Sequence, residues 1–337
     1  MLNVSVIIPN YNRAALIGET IDNMLSQSLP PHEVIVVDDG STDNSIEVIK
    51  RYGDRVTLIQ QQNQGPGAAR NAGLKIASGE FIQFMDSDDI ASLNKLEIQT
   101  KVLDKENADI AYGPWAKVWF QQYYIQLENV VLQQKPLPKS RSPLHWFLTS
   151  WSMVFQQCLI RKSLLDKVGG YREDMKLYED GELFFRLLLA KAKLVHEDRS
   201  LTLYRLGEGD KLTESGSSQN RKLIDKAKFY LIVAELLAKN SQQQILNSFE
   251  FNRRIWQALK ELERSLVTDR SLSHDLEQII GNFNPYLMNY YLWIEEKSKG
   301  LKQRLCGHRW SNCYQANSLD LQQQELLNNL GFQVIAF

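Results

Sequence analysis

Apolar residues in the first hundred positions alternate between two spacings. Val4-Ser5-Val6-Ile7-Ile8 is a short β-branched run of the kind that forms a buried strand. Residues 14–25 then carry Leu16, Ile17, Ile21, Met24 and Leu25 at helical spacing. The alternation repeats as strand 33–37, helix 45–50, strand 56–59, helix 68–76 and strand 80–85. This predicts an α/β fold, a mostly parallel sheet flanked by helices, because right-handed crossovers lay helices on both faces and leave the strands continuously apolar. Ligands of such sheets sit beyond the carboxyl ends of the strands. Polar clusters fall at those ends: Pro9-Asn10-Tyr11-Asn12-Arg13, Asp38-Asp39-Gly40-Ser41-Thr42-Asp43, Asn63-Gln64-Gly65-Pro66-Gly67 and Asp86-Ser87-Asp88-Asp89.

After Lys105 the alternation weakens. A strand is predicted over 110–120, and the Gln- and Pro-rich stretch 121–143 reads as a loop able to cover substrate. After Gly216 the period becomes helical, over 223–238, 245–266, 287–305 and 319–330. The expected organisation is a domain over 1–212, in two parts at 1–105 and 106–212, followed by an all-helical domain over 213–337. A chain of 337 residues, 43% hydrophobic and 23% charged, is large enough for this and able to bury a real core.

The formal charge of −1 gives no electrostatic reason to expect nucleic acid. Cys158, Cys306 and Cys313 are too few and too scattered for a disulfide framework, and no segment approaches the roughly 18 apolar residues that span a bilayer. A cytoplasmic protein is expected.

The most informative element is the apolar strand that ends in Asp86-Ser87-Asp88-Asp89. Clustered carboxylates repel unless a cation offsets them. Mn²⁺ or Mg²⁺, which take one or two protein carboxylates plus substrate phosphates, suit the position, with Asp86 and Asp88 as ligands. An isolated D-x-D would more simply be a solvated turn capping the next helix. In the second cluster capping uses only one of Asp38, Asp39 and Asp43, so a ligand role remains for the others, with Asp39 able to accept from a base or ribose and Tyr11 offering a flat face to a base. Gly65-Pro66-Gly67-Ala68-Ala69-Arg70 opens a helix with small residues, and Arg70 lies one turn in, where it can reach a phosphate or a base carbonyl.

Taken in order, V-S-V-I-I-P-N-Y-N-R at 4–13, V-V-D-D-G-S-T-D at 36–43, G-P-G-A-A-R-N-A-G at 65–73 and F-M-D-S-D-D at 84–89 resemble the family 2 glycosyltransferases. The likeness is strong over 3–103 and weaker to about 204. It implies a Rossmann-like GT-A fold and inverting transfer of a hexosyl group from a nucleotide sugar, often UDP-linked. The acceptor would be a hydroxyl of a saccharide or lipid-linked molecule, as in cell-surface polysaccharide synthesis. It also implies base contacts from Pro9, Tyr11 and Asp39, a nucleotide contact from Arg70, and metal–diphosphate contacts from Asp86 and Asp88. Asn12, Asp38 and Ser87 join the nucleotide-sugar contacts on the same loops.

Leu177-Tyr178-Glu179-Asp180 is similar to the family's acidic pair at a helix head, which makes Asp180 the expected general base and Glu179 its assistant. Like charge and a nearby diphosphate would raise the pKa of such a carboxylate toward a working base. An acidic helix N-terminus favoured by the macrodipole is the plainer alternative. One departure stands out: many members of the family carry a histidine after the final strand, whereas Leu203-Tyr204-Arg205-Leu206-Gly207 has none, leaving either Arg205 or Lys211 to substitute or a weaker dependence on metal. His196, alone in an apolar strand, reads as structural.

His145, Trp146, Trp151 and Trp115 are candidates to stack on an acceptor sugar, although scattered aromatics are usually core. Tyr286 to Trp293, followed by Lys297, Lys299, Lys302 and Arg304, offers a peripheral contact with the inner face of a membrane, or equally a packed helix. Two other classes remain open: a catalytically silent sugar-nucleotide-binding protein, and a phosphohydrolase using Asp86 as nucleophile.

Overall fold

The computed structural model describes residues 3–120, 124–151, 153–207 and 216–264, with short pieces farther on that include 315–316 and 333–335. Its elements run β1 (Val4–Asn10), α1 (Ile17–Leu25), β2 (Glu33–Asp38), α2 (Ser45–Lys50), β3 (Thr57–Gln60), α3 (Pro66–Ile76), β4 (Phe81–Phe84), β5 (Ile90–Ala91) and α4 (Lys95–Glu106). Then come β6 (Ile110–Tyr112), β7 (Trp115–Phe120), β8 (Tyr124–Leu132), α5 (Pro143–Thr149), β9 (Cys158–Arg161), α6 (Lys162–Val168), α7 (Glu179–Leu189), β10 (Leu194–His196) and β11 (Thr202–Arg205). The C-terminal part contributes α8 (Gly216–Lys239), α9 (Gln243–Leu246), α10 (Phe249–Arg264), β12 (Gln315–Ala316) and β13 (Gln333–Ile335).

The main sheet has the order β10-β6-β9-β4-β1-β2-β3, parallel throughout except for β9, which runs against β4 and β6. Its central strands are buried on both faces, which is why they read as unbroken apolar runs. Ile17, Ile21 and Met24 of α1 pack on Val4, Val6, Ile8, Val34 and Val36 from one side. On the other side α3 lies directly over β1. A β-carbon on Gly73 would stand 2.5 Å from Ile7 Cγ2, so this crossing admits only glycine.

The same apolar cluster continues without a break through Phe184 and Leu187 of α7 into Phe229 and Val233 of α8 and Ile255 and Leu259 of α10. The mixed α/β core with helices following it matches the expected fold class. A second sheet, β12-β8-β7-β11-β5 with β13 also on β8, stands beside the first.

Three segments differ from their sequence reading. The strand expected over 110–120 breaks at Gly113-Pro114, where the chain leaves the main sheet, with Tyr112 beside Cys158, for the second, with Trp115 beside Thr202. The loop expected over 121–143 contains the nine-residue strand β8, whose buried Ile125, Leu127 and Val131 are spaced by polar residues that masked the pattern. The helix expected over 245–266 is two helices. Ser248 Oγ accepts from Phe251 N–H (3.3 Å) at the start of α10, and Asn252 Nδ2 donates to the Leu246 carbonyl (2.7 Å).

The helices expected over 287–305 and 319–330, and with them the membrane-facing segment, lie almost wholly outside the described residues. From this region β12 and β13 return to pair with β8. Among the described residues no helix is long and apolar enough to cross a membrane.

Candidate active site

Three of the polar loops are stitched together by carboxylates. Asp38 accepts from Asn10 Nδ2 (2.8 Å) and Ser41 N–H (2.9 Å). Asn12, held at φ 53°, accepts from Thr42 N–H (2.7 Å), while its own N–H donates to Ser41 Oγ (2.9 Å). Asp39 takes Gln61 Nε2 and Gln64 N–H on Oδ1 (2.7 and 2.9 Å) and Gly65 N–H on Oδ2 (2.8 Å), fixing the loop that launches α3. Pro9 lies in β1 beside Val37. Tyr11, 42% exposed, is one of the few large hydrophobic side chains left open to solvent.

The acidic turn after β4 divides its labour. Asp89 is fully buried and accepts from Arg205 N–H (2.8 Å) and Gln156 Nε2 (3.0 Å), so it builds the turn. Asp86 and Asp88 keep side-chain exposures of 29% and 13% and each meets a guanidinium: Arg70 on Asp86 (2.7 Å) and Arg13 on Asp88 (3.3 Å). Gln156 Nε2 also bonds the other oxygen of Asp86. Ser87 is buried between them in sequence. Arg205 donates through Nε to the Asp88 carbonyl (2.8 Å) and pairs with Glu19, which puts it beneath the acidic turn where the sequence lacks a histidine. Lys211 lies outside the described residues.

Arg70 ties this turn to the acidic helix head. Its buried guanidinium reaches Asp86, Glu179 Oε1 (3.1 Å) and Asp180 Oδ1 (3.6 Å) and lies over the Tyr171 ring, 5.3 Å from its centre. The approach is possible because α3 opens with glycine: a β-carbon on Gly67 would come within 3.0 Å of the Arg172 carbonyl and 3.4 Å of Tyr171 Cβ. From the opposite side α8 holds the loop before α7. The fully buried Asp225 accepts from the N–H groups of Leu177 (3.1 Å) and Lys176 (3.3 Å).

The electrostatics follow from this crowding. Burial raises Asp180 above the ordinary carboxylate range, with Asp86 adding to the rise and Arg70 and the Tyr171 hydroxyl opposing it. Burial and then Asp180 push Glu179 up to about 8, against Arg70, so Glu179 is mostly protonated at neutral pH and is a hydrogen-bonding partner more than an anion. A carboxyl whose folded pKa lies above its unfolded one binds more protons folded than unfolded. Its stabilising contribution is complete below the unfolded pKa of 4.5 and is lost as pH rises toward 8. Glu179→Gln should therefore flatten the decline of Tm between pH 5 and 8; a decline as steep as in the unaltered protein would refute the assignment.

Arg70, Asp86, Glu179 and Asp180 thus meet in one cluster, while Asp88, two residues farther along the same turn, pairs with Arg13. Pro9, Tyr11, Asn12, Asp38 and Asp39 form the adjoining loop layer, joined to α3 through Asp39. Of the aromatic acceptor candidates, Trp115 and Trp151 are buried, Trp151 among Tyr112, Phe147 and Phe184. Trp146 is half-buried and donates to the Pro138 carbonyl (2.9 Å), and His145 sits beside Arg141. His196 is structural, bonded to the Gln133 carbonyl (2.6 Å) and edge-on to Tyr112. Sequence reasoning missed Gln156, Tyr171 and Asp225. Each is a single buried polar residue, and only Tyr171 has a local signal, the Gly169-Gly170 stop that ends α6.

In an open, mostly parallel α/β sheet, ligands bind beyond the carboxyl ends of the strands, and these acidic loop tips stand there. Residues 5–169 match the description Glycosyl transferase family 2. Over 234 residues the chain is 28% identical to "Glycosyltransferase GlyG" of Streptococcus pneumoniae, covering 66% of this chain and 77% of that protein. It is 29% identical to "Glycosyltransferase GlyA" of the same organism but spans 31% of its length. Among solved structures, S. aureus TarS 1-349 superposes with a TM-score of 0.60 at 21% identity, over 86% of this chain and 82% of that one, and has also been solved with UDP-GlcNAc. The Pyrobaculum calidifontis mannosyltransferase PcManGT, in complex with GDP-Man and Mn²⁺, superposes with a TM-score of 0.53 at 16% identity, over 90% and 87% of the two chains.

Proposed function

We propose that the protein is an inverting glycosyltransferase that moves a hexosyl group from a UDP-linked donor to a hydroxyl of a saccharide or lipid-linked acceptor. The observation that carries this is the Arg70 cluster, which joins Asp86 of the acidic turn to the acidic head of α7 within one set of contacts. Inversion needs one base across the reacting carbon from the leaving group, and Asp180 is the base. The acceptor oxygen bonds to the anomeric carbon as the bond to the diphosphate oxygen breaks. The acceptor proton passes to Asp180, and the nucleoside diphosphate leaves with the electron pair.

Tyr11 stacks on the base and Asp39 accepts from it. Pro9, Asn12, Asp38 and Ser87 shape the nucleotide side, and Arg70 balances charge between the two halves. Glu179 accepts from Arg70 and assists by holding that guanidinium against the helix head.

The acidic turn fits a divalent ion. Asp86 and Asp88 are partly exposed carboxylates that each already attract a cationic side chain. Mg²⁺ or Mn²⁺ takes one or two such carboxylates when phosphates complete its shell. Asp86 and Asp88 would hold it, and when bound it stabilises negative charge on the departing diphosphate.

Thermal melts across UDP, GDP and their sugars, each with and without Mn²⁺, test this reading. A ligand binding only the folded state at about 100 times its Kd stabilises by roughly 2.7 kcal/mol, a shift of several degrees. The expected result is a Mn²⁺-dependent shift with UDP or a UDP-sugar that Asp88→Asn removes. No shift with any nucleotide would end the proposal.

A further inference from the structure

We infer that Tyr171 is a positioning residue for Asp180, holding one carboxylate oxygen so that the other is left for the acceptor proton. The inference rests on the base role proposed above. The Tyr171 hydroxyl donates to Asp180 Oδ1 (3.0 Å), the same oxygen that faces Arg70 NH1 at 3.6 Å. Both contacts therefore gather on Oδ1, and neither involves Oδ2. A base needs this asymmetry, one oxygen anchored and the other available.

The anchor is rigid. Tyr171 is 4% exposed, and its ring packs edge-on to Phe84 (5.3 Å between centres) and beside Phe155 (5.7 Å). Its backbone is clamped at both ends by Asn71 of α3, which accepts from Tyr171 N–H (2.8 Å) and donates to its carbonyl (2.9 Å). Arg70, the next residue of α3, covers the ring face. The helix that carries the cation of the cluster therefore also fixes the phenol. Burial lifts the phenol well above its ordinary pKa, so it remains a donor wherever Asp180 titrates.

Arg70, Asp86, Glu179 and the buried Cys158 thiol are the other charged or titratable groups that act on Asp180 or feel its charge. Of these, Arg70 favours its anion, Asp86 opposes it, and Glu179 is coupled to it by like charge. Removing the hydroxyl alone leaves all of them in place.

The test is Tyr171→Phe, which keeps the ring and its packing. A hydrogen bond to the charged form lowers a carboxyl pKa, so its loss should raise the Asp180 titration by about one unit. This is read by carbon-13 NMR of aspartate-labelled protein, with the resonance assigned through Asp180→Asn. The acidic limb of kcat/KM should move up by the same amount, kcat should fall about tenfold, and the KM for donor should stay unchanged. In the Asp180→Asn background, Tyr171→Phe should have no further effect on rate.

A carboxyl that titrates unchanged, or a rate profile that stays put while the carboxyl moves, overturns the inference and leaves the transferase reading intact. If the unaltered protein turns over no nucleotide sugar, the functional reading fails and this inference with it.

Discussion

Replacing Asp180 with asparagine should cut turnover about a thousandfold while donor affinity stays within about twofold, because general-base catalysis contributes roughly 10²–10⁴ and the amide cannot take the acceptor proton. The substitution is nearly isosteric, and the Tyr171 hydroxyl can still donate to the amide oxygen, so the helix head should keep its shape. The measurement is steady-state transfer with both substrates varied, alongside donor binding by calorimetry. Equal loss of binding and turnover would mean that Asp180 belongs to the donor pocket. Full activity would mean that the base lies elsewhere.

Arg70→Met should be the most damaging single change to the fold near the site. It keeps much of the volume but leaves Asp86, Glu179 and Asp180 facing one another without the guanidinium between them. Removing one partner of a buried ion pair costs roughly 3–5 kcal/mol. Partial exposure of Asp86 and Asp180 argues for the lower end of that range. Acid protonates the stranded carboxyls, so the loss measured by urea unfolding should be larger at pH 8 than at pH 5. A pH-independent loss would assign the effect to packing over Tyr171 instead.

The central strands of the main sheet were legible because they are buried on both faces. Val4–Asn10 and Glu33–Asp38 need no knowledge of their partners to read as strands, and the polar residues that interrupt them must be loop tips. The Asp86–Asp89 turn was legible as a cluster of charge, but its internal division was not. Asp89 became structural only when Arg205 and Gln156 arrived from residues 116 and 67 positions away. The antiparallel insertion of β9 between β4 and β6 is likewise written in no local pattern, since its apolar residues would suit a parallel strand equally well. Strand β8 was hidden by a glutamine and a glutamate on alternate positions, which composition reads as a loop. Tyr171 and Asp225 escaped for a simpler reason: one buried tyrosine or aspartate has no periodicity, and its meaning lies wholly in what the fold brings to it.

The reach of α8 back to the loop before α7 has a consequence for how this scaffold can diversify. The segment that matches the family stops at residue 169, ahead of Glu179 and Asp180, while the carboxylate that fastens their loop is contributed by position 225. Any exchange of the C-terminal helices that removed Asp225 would strand two backbone amides just ahead of Glu179 and Asp180, so a grafted tail would have to bring an acceptor of its own to the same place.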